Sequence, residues 1–252
     1  MHNWGRRLIK YQEIPWLRIG AESVAIVVSI LLAFAIEAWW QDRSELAIEQ
    51  RSLSALLAEF EENAELLREA RDGYETTYTA AIRLLAYSDQ ETDDMDSSEF
   101  EQLVSRLISA RSTHLESGAY DALIASGELN LVRDEMLRSR LAAWPSYVAE
   151  WSEEEGSVFS FVEEEFVPYL SVSVRRRNIS NPLPAFPDGQ SLPPVPVGSN
   201  EVRLLRSLST SVEFDNLVYS AAESNWFAMR DGATLRAQLT IILDLIRQNI
   251  EV

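Results

Sequence analysis

This chain of 252 residues has no cysteine and only two histidines. Without cysteine there can be no disulfide, no thiolate nucleophile and no cysteine-ligated zinc site. His2 and His114 are too few for a histidine-ligated metal site or a histidine acid–base pair, and we expect both to be ordinary side chains. The composition therefore predicts no cysteine- or histidine-ligated metal site, and the sequence identifies no other metal site and no cofactor; whether a cation binds the acidic faces stays open.

Catalytic motifs are missing as well. The chain has no phosphate-binding Gly-x-x-x-x-Gly-Lys loop, no nucleophile elbow, no His-Glu-x-x-His and no dinucleotide fingerprint. A pair of carboxylates could perform glycosidase chemistry, but among forty acidic residues no particular pair stands out. We therefore predict no catalytic residue and a protein that is not an enzyme.

Charge is divided unevenly along the chain. Residues 1–20 carry a net charge of +3, whereas residues 41–252 carry 18 basic and 37 acidic side chains, a net charge of −19. Lys and Arg are retained on the cytoplasmic side during membrane insertion, so the basic tail should stay inside and the acidic domain should be exported. An acidic domain repels nucleic acid and anionic lipid, and we expect no nucleic-acid partner.

An apolar segment separates these two parts. Ile19 to Trp40 comprises 22 residues, which at about 1.5 Å per residue span roughly 33 Å, close to the ~30 Å hydrocarbon thickness of a bilayer. Trp39 and Trp40 at one end, with Trp16 near the other, match the aromatic belts of membrane helices. The segment predicts a single-pass transmembrane helix.

Two other interpretations of this segment stay open. Ala33-Phe-Ala35 has the small-x-small pattern of a signal-peptide cleavage site, and the uninterrupted apolar stretch from Val24 to Ile36 is short enough for a buried core helix. The basic tail is long for a signal peptide, and helical periodicity continues beyond the segment. Both features favour a retained anchor.

Small and polar residues share one face of the predicted anchor. This face comprises Ala25, Ser29, Ala33 and Glu37 at four-residue spacing, with Glu22 seven residues before Ser29. Small residues at this spacing let helices approach closely in lipid, and carboxylates in a membrane seldom face hydrocarbon alone. The face is therefore a candidate interface with a partner helix or a second copy. In the alternative, both glutamates lie at headgroup boundaries, where charge costs little.

Beyond the anchor the apolar pattern stays helical. Apolar residues recur every seven positions at Leu46, Leu53, Phe60, Leu67 and Tyr74. No Pro or Gly interrupts residues 21–72, so one helix could extend to about Gly73 or Ser88. The spacing suits a coiled coil, but the apolar stripe is wide, which favours packing within one bundle.

We therefore predict an all-α fold in which the transmembrane helix continues into a helical stalk and an antiparallel helical bundle. The expected parts are a basic cytoplasmic tail at 1–18, the transmembrane helix at 19–40, a long helix or stalk at 41–88, an acidic loop at 89–98, a helical bundle at 99–170, a Pro-rich loop at 171–200 and C-terminal helices at 201–252 that complete the bundle.

Local signals place several helix ends. The expected N-caps are Ser98 in a capping box with Glu101, then Ser117 and Asp134. Pro145 and Pro168 should kink or end their helices. The glutamate runs at 153–155 and 163–165 should be solvated faces. After the Pro-rich loop, a helix should run from Glu201 to about Val218 before a final helix.

Three stretches of the chain resemble a known kind of protein. They are Ala119-Tyr-Asp-Ala-Leu-Ile-Ala-Ser-Gly-Glu-Leu-Asn-Leu131 with Leu137-Arg138 and Tyr147, Glu22 with Glu37-Ala-Trp39, and Leu56-Leu-Ala-Glu-Phe-Glu-Glu-Asn63. Together, over about residues 20–150, they look like an uncharacterised family of bacterial single-pass membrane proteins. That family has no established activity, so the resemblance implies architecture only. It more often shows Asp and Asn around the Trp at the helix end, where this chain has Glu37, Ala38 and a second Trp.

The Tyr-x-x-Leu-x-x-Ser-Gly-x-Leu motif at 120–129 has a structural interpretation. Tyr120 and Leu123 should pack inward, Ser126 and Gly127 should end a helix with a left-handed turn, and Leu129, followed by Leu131, should fill the core. The residue types thus favour a structural role over a binding role.

Three functions remain open. The first is a membrane-anchored extracytoplasmic scaffold or adaptor that acts through protein contacts. The second is a regulatory or sensor subunit that assembles with a partner, or with a second copy, through the transmembrane helix. The third and least favoured is an exported hydrolase. We expect the chain in the bacterial inner membrane with its N-terminus cytoplasmic and its C-terminal domain periplasmic, and the sequence identifies no small-molecule ligand.

Overall fold

The computed structural model describes residues 16–88, 96–109, 112–179, 195–196 and 198–250. These residues are α-helical apart from short connections, and no strand occurs among them. The prediction of an all-α fold is therefore confirmed. Contacts divide the chain into two units, residues 1–49 and residues 50–252.

Seven α-helices occur in the described residues. They are α1 (Trp16–Ser88), α2 (Ser97–Leu107), α3 (Gly118–Ser126), α4 (Glu135–Phe161), α5 (Val167–Ser173), α6 (Val202–Ser209) and α7 (Val212–Asn249). Two 3₁₀ helices lie at Glu128–Leu131 and Arg176–Asn178, and a π-helical turn at Val162–Phe166 joins α4 to α5. Helix α1 passes through Gly73, because a single glycine costs an α-helix only about 1 kcal/mol.

The described part of the first unit is the N-terminal portion of α1. From Val24 to Trp40 its large apolar side chains are all at least half exposed, with Phe34 at 64% and Trp40 at 69%. No part of its most apolar window is buried, which is inconsistent with the core helix of a soluble domain. This helix is long and apolar enough to cross a membrane.

The second unit is a helical bundle built around α4, α7 and the part of α1 after residue 49. Phe60 lies against Trp144, and further along the same helices Tyr74 contacts Glu155, so α1 and α4 run in the same direction. Helix α7 is antiparallel to both, because its end meets Gln50 and its middle meets Trp151. The long N-terminal helix therefore packs against the C-terminal helix.

The bundle has two apolar clusters rather than one. The first joins α1, α4 and α7 around Phe60, Trp144 and Trp151. The second joins α2, α5, α6 and parts of α1 and α7 around Phe100, Phe166 and other apolar side chains. Leu53, Phe60, Leu67 and Tyr74 of the seven-residue repeat are buried in the first cluster. The repeat thus packs within one bundle, as the width of the stripe indicates.

The structure corrects the predicted cap of α2 and confirms that of α4. Helix α2 begins at Ser97 and is capped by Asp96, whose carboxylate accepts from the backbone N–H of Ser98 and Glu99. Ser98 is therefore not the cap, and Glu101 instead accepts hydrogen bonds from Asn200. Asp134 caps α4 as predicted, since its carboxylate accepts from the N–H of Leu137 at 2.7 Å. Predicted features at residues 1–15, 89–95, 180–194 and 197 lie outside the described residues.

Pro145 does not end its helix, which leaves a kink as the open part of that prediction. The helix continues through Pro145 for sixteen more residues to Phe161. Pro168 lies at the start of α5, directly after the π-helical turn. That turn contains the predicted glutamate run Glu163–Glu165. A π turn shifts the hydrogen-bond register by one residue, which accommodates a proline that lacks an N–H and crowds the preceding turn. Towards the C-terminus, the break between helices lies at Thr210 and Ser211, not at the predicted Val218.

Candidate functional sites

The predicted interface residues of the anchor all lie exposed on α1. Glu22, Ala25, Ser29, Ala33 and Glu37 are exposed along the helix. The Ser29 hydroxyl donates to the carbonyl oxygen of Ala25 at 2.8 Å, so its hydrogen is used within the helix. An exposed face that is small and carries carboxylates at its ends is available to another helix.

The predicted structural motif lies in and just after α3. Tyr120 and Leu123 are buried, and Gly127 ends the helix with φ of 75°. Burial, followed by the nearby charge of Asp121, raises the pKa of the Tyr120 hydroxyl, which donates to the carbonyl oxygen of Leu141 at 3.0 Å. Leu129 packs half-buried against the first cluster. The motif therefore ties α3 to the bundle.

Ser117 precedes α3, but its side chain does not cap the helix; it donates to Asp121. The cap is Glu59, a buried residue of α1 that is 60 positions away from Ala119. Its carboxylate accepts from the backbone N–H groups of Ala119 and Tyr120. A carboxylate at a helix N-terminus accepts hydrogen bonds from N–H groups that have no partner within the helix. Its negative charge also interacts favourably with the helix dipole.

Asn63 lies one turn after Glu59 and is fully buried. Its amide nitrogen donates to the carbonyl oxygen of Glu116, and its amide oxygen accepts from the N–H of Glu116. Glu59 and Asn63 both belong to the Leu56–Asn63 stretch, and the segment that they hold leads into the Tyr120 motif. The Leu56–Asn63 stretch and the Tyr120 motif, which are far apart in the sequence, are therefore held together in the fold.

Glu155 is a second buried carboxylate. It accepts from the Tyr74 hydroxyl at 2.8 Å and from the backbone N–H of Thr113 at 2.9 Å. Burial first, then the hydrogen bond and charge of Glu155, raise the pKa of Tyr74. The prediction that run 153–155 is a solvated face is therefore wrong at Glu155, because tertiary packing turns that side of α4 inward.

An open cleft lies beside this pair. Its volume is about 670 Å³, and it is lined by α1 from Leu66 to Thr77, the end of α2, residues 112–114, α4 and α7. Gly73 lines the cleft, and a side chain added at that position would meet nothing within 4 Å. His114, expected to be unremarkable, is also part of the wall. The volume is within the range of small-molecule sites, which is about 300–1,000 Å³.

The most buried polar residue that lines the cleft is Asn225 on α7, which is 3% exposed. Its amide nitrogen donates to the carbonyl oxygen of Ala221 at 2.8 Å, whereas its amide oxygen has no partner among the described residues. This oxygen is not fully enclosed by protein atoms, since the fully buried side-chain atoms without a partner among the described residues are those of Ser105 and Trp151. The wall of the cleft therefore has an acceptor available for a small polar molecule or for water.

A second concave surface, which we call the aromatic groove, lies between α1 and α7. It is lined by Tyr78, Ile82 and Leu85 of α1 and by Tyr219, Ala222, Glu223, Trp226 and Phe227 of α7, with a volume of about 360 Å³. Ile82 is 46% exposed, Trp226 47% and Tyr219 58%. Large apolar side chains exposed together mark interaction sites more often than scattered ones do.

Charge at the aromatic groove is unevenly neutralised. Arg230 lies over the rings of Phe227 and Trp226, at 4.8 and 5.8 Å from their centres, and is held by the Asp231 carboxylate through two hydrogen bonds. Glu223, on the groove wall, has no ion-pair partner among the described residues. The groove therefore presents one free negative charge among aromatic side chains.

Compared with family models, curated proteins and solved structures, the chain matches none of them. The resemblance to a family of single-pass membrane proteins stays a prediction. Function is therefore inferred from the surfaces described above.

Sequence reasoning missed the aromatic groove and the cleft. Tyr219 and Trp226 are seven residues apart, a spacing that indicates one helix face, but an aromatic face is usually interpreted as core. Neither surface is visible in one helix alone, because each forms where distant segments meet.

Proposed function

We propose that this chain is a membrane-anchored helical scaffold or adaptor that acts through protein contacts. The observation that carries the proposal is the continuous exposure of apolar side chains from Val24 to Trp40 on the same helix that enters the bundle. So large an apolar surface is unstable in water and stable in lipid. The aromatic groove supports the second half of the proposal, because it offers a surface suited to a protein partner.

We further propose a bacterial inner-membrane location with the N-terminus cytoplasmic and the helical domain periplasmic. The support is the charge asymmetry between the basic tail and the acidic domain. Because the chain has no cysteine, single cysteines introduced as Asn3→Cys and Ser157→Cys report topology without background. In cells with a permeabilised outer membrane, an impermeant maleimide should label position 157 at once and position 3 only after lysis.

The reverse labelling pattern would refute the topology. Sequencing the N-terminus of the mature protein tests the anchor separately, since a chain that starts at Ile36 has lost it by cleavage. A protein released from membranes by carbonate would also contradict the anchor.

Adaptor activity is tested by crosslinking in cells. A photoreactive amino acid placed in turn at Ser157, Glu213 and Tyr219 samples three exposed positions of the domain. We expect at least one position to yield a crosslink to the same distinct protein, identified by mass and by reciprocal purification. Only monomeric chain at every position counts against an adaptor.

A regulatory or sensor subunit is the second candidate, and the cleft beside Asn225 favours it. In that case a ligand in the cleft would alter assembly through the anchor. Replacing Ala25, Ser29 and Ala33 together by Leu should abolish association with the partner helix, because close approach needs small side chains. Unchanged association in the triple variant would exclude this interface.

A further inference from the structure

We propose that the aromatic groove is a receptor for a proline-rich peptide in the polyproline II conformation, with a basic residue beside the prolines. This inference rests on the proposed adaptor function and deepens it by naming the surface and the chemistry of the partner. It depends on the spacing of the aromatic side chains, on their hydrogen-bond donors and on the charge of Glu223.

The spacing of the groove matches the repeat of the ligand. Tyr219 and Trp226 are two helical turns apart, which is about 10.5 Å along α7. A polyproline II helix advances about 9.3 Å in each three-residue turn. Successive turns of such a ligand can therefore pack against Tyr219 and Trp226, with Ile82 of α1 as part of the opposite wall.

The hydrogen-bond chemistry of the groove is also suitable. A polyproline II segment has no internal hydrogen bonds, so its carbonyl oxygens need donors. Neither the Tyr219 hydroxyl nor the Trp226 indole N–H has a partner among the described residues. Aromatic grooves that bind proline-rich segments combine such donors with flat apolar rings, and the preformed ligand loses little entropy on binding.

Glu223 explains why the ligand should be basic. It lies between Tyr219 and Trp226 on the groove wall, and no described cation neutralises it. Arg230 cannot serve, because the Asp231 carboxylate already binds it at 2.6 and 3.0 Å. An arginine next to the prolines would pair with Glu223, whereas an acidic ligand would be repelled by a domain of net charge −19.

The test is a titration of the full chain in detergent with a fluorescent peptide. The probe has the sequence of residues 181–196, which contains six prolines, with one Arg added at its N-terminus; its partner probe has Ala at every proline. A second receptor carries Pro182→Ala, Pro184→Ala, Pro193→Ala and Pro194→Ala, so that its own proline-rich sequence does not compete. We expect saturable binding of the proline probe and at least about tenfold weaker binding of the alanine probe.

Variants locate the binding. Trp226→Ala and Tyr219→Ala should each weaken binding about tenfold or more, as truncation of aromatic anchors does at other interfaces. Phe159→Ala is the matched control, because Phe159 is 49% exposed but does not line the groove. Glu223→Gln should weaken the arginine-bearing probe and should not weaken a probe without arginine, which carries Asp188 as its one charged side chain.

Several outcomes would overturn the proposal. No binding to either receptor up to about 1 mM, or binding unaffected by both aromatic variants, rejects the groove as a receptor. Self-association that Trp226→Ala abolishes, in a chain that binds no peptide, assigns the groove to a second copy instead. Crosslinked partners that persist when peptide binding fails leave the adaptor function standing and reject only this inference.

Discussion

The side-chain amide of Asn63 makes two hydrogen bonds with the backbone of Glu116. Its nitrogen donates to the carbonyl oxygen at 2.8 Å, and its oxygen accepts from the N–H at 2.7 Å, across 53 residues of sequence. A backbone segment without regular structure is thereby paired to α1 as a strand would be to its neighbour. Removal of the amide leaves both groups of Glu116 to find other partners.

Replacing Asn63 by Leu, which is similar in size but has no polar group, should lower the free energy of unfolding by about 1–3 kcal/mol. Asn63→Asp should destabilise at least as much at pH 7, because it loses the donor and places an unpaired carboxylate against the carbonyl oxygen of Glu116 at a fully buried position. Urea unfolding of the full chain in detergent measures the change. Asn216→Leu on the exposed face of α7 is the control, and equal effects at both positions would contradict the role of Asn63.

Glu59→Ala should destabilise the start of α3, because the carboxylate caps the N–H groups of Ala119 and Tyr120. The expected loss is about 1–2 kcal/mol, the range of helix N-caps. Amide hydrogen exchange at those two residues should become faster. Glu62→Ala, a substitution at an exposed position of the same helix, is the control and should leave the exchange rates of Ala119 and Tyr120 unchanged. Unchanged rates in Glu59→Ala would show that another group caps α3.

Deprotonation of the Tyr74 hydroxyl should lower the free energy of unfolding at high pH. Its pKa is raised above the ordinary value of 10, first by burial and then by Glu155. The folded protein therefore holds this proton more tightly than the unfolded chain does. The stabilisation is complete below about pH 10 and is lost as the pH rises further, by up to about 1.4 kcal/mol per pH unit.

Tyr74→Phe should remove that part of the pH dependence and lower stability at pH 7 by about 1 kcal/mol, the value of a lost hydrogen bond. Tyr78→Phe, on the same helix, is the control. The free energy of unfolding is measured at intervals from pH 8 to above pH 10. Plotted against pH, it should fall less steeply for Tyr74→Phe than for the control. Parallel curves would contradict the assignment.

Two glycines in long helices should respond oppositely to alanine. At Gly156 of α4 an added Cβ meets nothing within 4 Å, so Gly156→Ala should stabilise by about 0.5–1 kcal/mol through helix propensity. At Gly232 of α7 the Cβ would lie 3.2 Å from Nε1 of Trp151, which is 2% exposed and has little room to move. We expect Gly232→Ala to destabilise. Thermal unfolding of the two variants provides the comparison. If both substitutions stabilise the protein, the Trp151 side chain must move to make room for the added methyl group.

Some features were predictable because they depend on neighbours along the chain. Local spacing or residue type predicts the apolar stretch of α1, the seven-residue repeat through Phe60 and the left-handed turn at Gly127. The Asp134 cap follows in the same way. The cap at Asp96 was missed by two residues, since serine and aspartate both suit that position.

Other features needed the fold. Glu155 stands in a run of three glutamates, and no pattern distinguishes it from its neighbours until α4 packs with that face towards Tyr74. The pairing of Glu59 with Ala119 likewise joins residues 60 apart. The aromatic groove and the cleft form only where helices converge.

An all-α chain with an apolar N-terminal helix could be predicted from the sequence alone, because helix formation and the length needed to cross a membrane depend on periodicity and composition over tens of residues. Tertiary packing was needed to show which carboxylates are buried, which aromatic side chains stay exposed and where the bundle leaves open surfaces. Those outcomes depend on contacts between distant segments, whose free energy no local pattern contains.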